Sequence, residues 1–173
     1  HVTNACNLDC PYCYVRKSSA RMSEATGRQA VAAVFANAVR HGFRAVKLKY
    51  AGGEASLHFA LVRRLHDVAA RLSAETGIEL YETLLTNGVY LRPDDADWLA
   101  EHRVRVMISL DGVGEVHNAL RPLRNRAGFD TFAAVAHTVD HLLLPRAIHP
   151  NVNMVITGRN AHGAADVARW AIL

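Results

Sequence analysis

Asn4-Ala-Cys6-Asn-Leu-Asp-Cys10-Pro-Tyr12-Cys13-Tyr14 places three cysteines in the spacing C-x3-C-x2-C. These are all the cysteines of the 173-residue chain. None remains elsewhere to pair with them, so a disulfide framework is excluded as the main reading. Clustered free thiols point to a reducing compartment, here the cytoplasm, and to metal binding. Thiolates select zinc, copper(I) or iron–sulfur clusters. Structural zinc takes four ligands, and the fourth would have to be a histidine or a distant group. His1 lies on the strand side of the loop, and His41 and His58 belong to other segments. A cubane takes one ligand per iron, so three cysteines leave one iron open to a small molecule. Structural zinc, or simply buried cysteines, is the competing reading.

Outward from this loop, the chain alternates strand-like and helix-like segments. Residues 1–4 read as the tail of a strand. Ser23 to His41 reads as a helix with Val31, Val34, Phe35, Ala38 and Val39 on one face. Residues 45–51 form a strand. Residues 56–76 form a helix with Leu61, Leu65, Val68 and Leu72 on one stripe and Gly77 at its end. Strands over 78–86, 104–110 and 151–157 alternate with helices over 93–101, 129–144 and from Ala161 onward. About five βα units and a parallel sheet follow. Such sheets and barrels bind ligands at the carboxyl ends of their strands. The cysteine loop, Gly52-Gly53-Glu54, Thr86-Asn87-Gly88 and Ser109-Leu110-Asp111-Gly112 all follow strands, so they should meet on one rim.

Composition narrows the classes. Half of the residues are hydrophobic, enough for a sizeable core, and the length suits one domain over 1–173. The net charge of +4 comes without a concentrated basic stripe, so nucleic acid is not the expected partner. No run reaches the ~18 apolar residues of a membrane span. The chain opens on His1 and stops at Leu173 within an amphipathic pattern, and we expect a piece of a longer polypeptide, truncated at both ends.

Read alone, the other loops are less specific. Paired glycines let backbone approach a ligand closely, and Glu54 can accept hydrogen bonds from an ammonium. A hydroxyl and a guanidinium, Ser109 and Arg121, suit a carboxylate, Arg through its bidentate fork. Without context they read as a strand-end serine and a surface arginine. Asp111 shapes its turn, and Asn87 serves mainly turn backbone chemistry, with a ligand role as the alternative. Asn153 and Val155 line a cavity or are plain core. His137 and His141 read as solvated or capping residues. Arg16, Lys17 and Arg21 read as a solvated basic stretch.

With its aromatic before the third cysteine, the loop resembles the signature of the radical SAM superfamily. Asn4 to Tyr14 is similar to the branch of anaerobic sulfatase-maturating enzymes and other SPASM-type peptide-modifying maturases. The resemblance implies a partial (β/α)6 TIM-like barrel and two cofactors, a [4Fe–4S] cluster on Cys6, Cys10 and Cys13 and S-adenosylmethionine on the open iron. It assigns Tyr12, Gly52, Gly53, Glu54, Asn87, Ser109 and Arg121 to cofactor binding, the Gly-Gly-Glu segment to the methionine amino group. Ala55 stands where the family usually has proline. The implied chemistry is reductive cleavage to a 5′-deoxyadenosyl radical that takes hydrogen from a peptide or protein substrate, with an external donor of flavodoxin or ferredoxin type. No general base is identifiable, and auxiliary clusters would lie in a region outside this chain. A radical SAM enzyme acting on a small molecule or nucleotide and a noncatalytic zinc domain are the alternatives.

Overall fold

The computed structural model describes residues 1–172; Leu173 lies outside the described residues. Ser23 opens helix α1 (Glu24–Arg40), its hydroxyl accepting the Thr26 N–H. That bond satisfies a donor the first turn would otherwise orphan. Val31, Phe35 and Ala38 are buried as the periodicity predicts, whereas Val34 and Val39 are exposed, so the buried stripe is narrower than read from the sequence. Strand β1 (Ala45–Tyr50) leads through a tight turn, Ala55–His58, into α2 (Phe59–Thr76). Gly77 ends α2 in the left-handed conformation, at φ 71°. Then come β2 (Glu79–Thr86), α3 (Pro93–Glu101), β3 (Arg105–Ser109) and a short α4 (Glu115–Leu120). Helix α5 (Thr131–His137) runs on into a π turn over Thr138–Leu143. Strand β4 (Asn151–Asn153) and α6 (Ala164–Ile172) complete the chain.

The four strands form one parallel sheet in the order β1-β2-β3-β4. Tyr50 pairs with Leu84, Thr86 with Ile108 and Ser109 with Asn153. Because side chains alternate, Val106, Ile108 and Leu110 go to the helix side, where they are buried beside Leu84, Val62, Leu99 and Val135. Ser109 points to the opposite face. The expectation of about five βα units needs correction at its first strand. Among the described residues, the ladder contact made by residues 2–4 is a single isolated bridge from Thr3 to Arg21. The fifth predicted strand stops at Asn153, because the Val155 and Thr157 N–H groups go to side chains of Asp111 and Asn160. The architecture is α/β with a partial TIM-barrel-like core.

Within the helix layer sits a polar knot. The Tyr50 hydroxyl donates to Glu82, and His66 Nδ1 lies 2.6 Å from the other Glu82 oxygen, all three side chains being buried. Trp98 and His102 pack edge-on against the His66 ring. Hydrogen bonding to Glu82 raises the His66 pKa above its ordinary value, against the opposing effect of burial. A raised histidine pKa adds stability that is complete below the unfolded value and is lost as pH rises through the folded one. The melting temperature should therefore fall on going from pH 6 toward pH 9. Glu82→Gln should flatten that slope; an unchanged slope would show that the pair contributes nothing.

Candidate cofactor site

The cysteine loop is pinned on three sides by backbone. Val2 N–H donates to Ala51 O at 2.8 Å, and Asn4 N–H to Ala20 O at 2.9 Å. Gly53 N–H and Glu54 N–H donate to Thr3 O and Ala5 O at 2.8 and 2.7 Å. At the far end, Leu8 is buried and bridges Leu123, while Arg124 N–H donates to Asn7 O. The expected close approach of Gly52 and Gly53 is thus met by the chain itself. A Cβ on Gly52 would lie 2.4 Å from Thr3 O, and one on Gly53 would lie 2.4 Å from Ala5 O and 2.7 Å from Asn4 O. Those neighbours are backbone and cannot turn aside. Gly53→Ala should cost about 1–3 kcal/mol in a denaturant titration, with the cysteine loop the first segment to lose amide-exchange protection; wild-type stability and protection would refute the packing argument.

Glu54 is only 2 % exposed. One oxygen accepts from Ser56 N–H (3.0 Å) and the Thr86 hydroxyl (2.7 Å), the other from Asn87 N–H (2.6 Å). It therefore ties the loop after β1 to the loop after β2. Among the described residues it has no ion-pair partner, which is unusual for a buried carboxylate. Ala55 follows at the first position of the tight turn, behind an extended Glu54 (φ −137°, ψ 112°). That is the backbone a following proline imposes, so alanine keeps the loop's shape. Asn87 closes an Asx turn on Val89 N–H and donates to Asn7 Oδ1 at 2.8 Å, joining the β2 loop to the cysteine loop.

Asp111 does much more than shape its turn. It is fully buried. Its carboxylate accepts from Arg121 Nε (2.9 Å) and Nη2 (3.1 Å), from Val155 N–H (2.9 Å) and from the Tyr12 hydroxyl. Its backbone N–H donates to His117 Nδ1, and its carbonyl accepts from Asn160 Nδ2. One aspartate thus joins the cysteine loop, the end of β3, α4 and the segment after β4. Burial, reinforced by the Arg121 charge, lowers the His117 pKa to about 4. The ring is therefore neutral near pH 7 and its Nδ1 is free to accept. Arg121 is not the surface residue that sequence context alone allows. It is buried, and one edge of its guanidinium belongs to Asp111.

These loops enclose a cavity of about 300 Å³. Cys6, Cys10, Cys13, Tyr12, Gly52, Gly53, Glu54, Asn87, Ser109 and Arg121 all line it, so every residue singled out for cofactor or metal binding meets there. Asn153 and Val155 line it too. His137 and His141 are exposed with ring centroids 4.6 Å apart and take no part in it. Lys17 corrects the solvated reading: its side chain is 10 % exposed and lines the cavity.

The chemistry of the thiol set suits an iron–sulfur cluster. Among the described residues no three His, Cys, Asp or Glu side chains gather as a single-ion site demands. The three cysteines line the same cavity, and a cubane takes each thiolate on a different iron. Burial raises the Cys6 and Cys10 pKa values, so both are thiols until a metal draws off the proton. Leu8 N–H already points at Cys6 Sγ, 3.4 Å away.

The chain resembles known proteins over nearly its whole length. The family profile described as "Radical SAM superfamily" matches residues 1–171. An uncharacterized protein of Methanocaldococcus jannaschii is 30 % identical over 174 residues, covering 99 % of this chain and 56 % of that protein. A cysteine-type anaerobic sulfatase-maturating enzyme of Clostridium perfringens (strain 13 / Type A) is 27 % identical, covering 97 % of this chain and 46 % of the enzyme. The sporulation killing factor maturation protein SkfB of Bacillus subtilis is 28 % identical, covering 96 % and 37 %. The chain thus spans about half the length of the curated relatives it matches. Among solved structures, native anSMEcpe with bound AdoMet and Cp18Cys peptide superposes with a TM-score of 0.83 at 25 % identity, over 98 % of this chain and 45 % of that one.

Proposed function

The chain belongs to the radical SAM superfamily, and from that premise we propose that its cavity holds a [4Fe–4S] cluster and S-adenosylmethionine to generate a 5′-deoxyadenosyl radical for modifying a peptide or protein side chain. The observation that carries this reading is the meeting of three cysteines and three further strand-end loops on one cavity. When bound, the cluster supplies an electron to the sulfonium and the open iron site that anchors its amino acid end. Cys6, Cys10 and Cys13 would hold it.

The remaining residues position and shield. Glu54 presents a buried carboxylate without a cation, which suits the ligand's ammonium. Ser109 offers a hydroxyl and Arg121 the guanidinium edge not engaged by Asp111, which suits the ligand's carboxylate. Tyr12 lines the cavity with its ring while Asp111 anchors its hydroxyl, and Asn87 fixes the loop across from Cys6. Such preset groups orient the reactant and exclude water, while the cofactor carries the difficult bond cleavage. A peptide substrate is supported by the similarity to a sulfatase-maturating enzyme, to SkfB and to a structure solved with a peptide.

The test is anaerobic reconstitution of the full-length protein with iron and sulfide, followed by incubation with S-adenosylmethionine and dithionite. A cubane absorption and production of 5′-deoxyadenosine are expected. A folded, cluster-bearing protein that never forms 5′-deoxyadenosine would overturn the reading. Tight zinc retention with no cubane would replace it by a zinc domain.

A further inference from the structure

Lys17 lines the cavity, yet the proposed roles above make no use of its charge. It lies beyond the last cysteine in a polar stretch, Arg16-Lys17-Ser18-Ser19, of the kind that is ordinarily solvated. Its side chain is only 10 % exposed and lines the same cavity as all three cysteines. A lysine loses rotamer freedom and hydration in such a place, so something must compensate. Part of the compensation is Asp9, whose carboxylate lies 2.8 Å from Lys17 Nζ. Asp9 is itself 61 % exposed, and an exposed partner attracts only weakly through water. Glu54 and Arg121 also line the cavity, so its charged side chains are of both signs.

We propose that Lys17 is an electrostatic tuning residue for the cluster, a largely buried lysine paired with Asp9 on the cavity that the three cysteines line, whose charge stabilises the added negative charge of the reduced state. The inference rests on the proposed cluster. A cubane on three thiolates is net anionic, and more so after it takes an electron. A fixed cation nearby therefore favours the reduced form and raises the midpoint potential, most strongly where water is scarce. Asp9, being exposed and solvent-screened, cancels only part of the lysine's field.

The experiment compares wild type, Lys17→Gln and Lys17→Arg after anaerobic reconstitution. Iron and sulfide content are determined first. The midpoint potential is then measured by a mediator titration followed by electron paramagnetic resonance, without S-adenosylmethionine. Glutamine keeps much of the stem and can still bond Asp9, so the loop should fold and load iron as in wild type. We expect Lys17→Gln to shift to a lower potential and Lys17→Arg, which retains the charge, to stay close to wild type. Equal potentials in Lys17→Gln and wild type at equal iron content would overturn the inference. So would an arginine variant displaced as far as the glutamine one, or a glutamine variant that cannot load iron although the arginine variant can. A wild-type protein that takes up no cluster would overturn the proposed function and this inference together, which separates the two failures.

Discussion

Replacing Asp111 with alanine should destabilise the protein by about 3–5 kcal/mol, the cost of leaving one member of a buried ion pair uncompensated. Arg121 is buried and its Nε and Nη2 both depend on this carboxylate. The Val155 N–H and the Tyr12 hydroxyl lose their acceptor in the same change. For a domain of this size the melting temperature should drop by about 10 °C. Arg121→Leu leaves the aspartate unpaired and should do comparable damage. The double variant Asp111→Ala, Arg121→Leu should recover part of the loss, because a buried charge without a partner costs more than none. Additive losses in the double variant would show that the two residues act separately.

Cys10→Ala should leave the fold intact and remove the cluster. Cys10 is only partly buried and behaves towards its neighbours as a small apolar side chain, so alanine should move the melting temperature of the metal-free protein little. Two thiolates would then face an assembly that needs three. Iron after reconstitution should fall to the level of a protein without the motif, and 5′-deoxyadenosine should fall to background. Undiminished iron in Cys10→Ala would remove this cysteine from the ligand set.

Helix α3 is legible to the residue, because Pro93 starts it and Asp94 and Asp95 follow in its first turn. The helix after Phe129 is legible in extent but not in kind: its second half is a π turn, which no periodicity announces. Helix α4 went unread, since six residues are too few to display a period. In the site, residue identity was readable and its economy was not. Tyr12 meets Asp111 across 99 positions, and Glu54 meets Asn87 across 33. Such pairings follow from strand order and register, which a local pattern does not encode. Lys17 shows the same limit, for a charged residue in a polar run looks solvated until the loop's path is known.

The pinning of the cysteine loop also bears on the order of biosynthesis. The loop emerges near the start of this chain, yet the groups that fix it and wall its cavity stand at 53, 87, 111, 121 and 155. At roughly 5–20 residues per second, about 7–28 s pass between translation of the thiols and translation of the last of these partners. For that interval three free thiols face oxidants and stray zinc unprotected. Iron delivery to the nascent chain would have to wait for the whole sheet, and slow elongation would be paid for in oxidised, cluster-free protein.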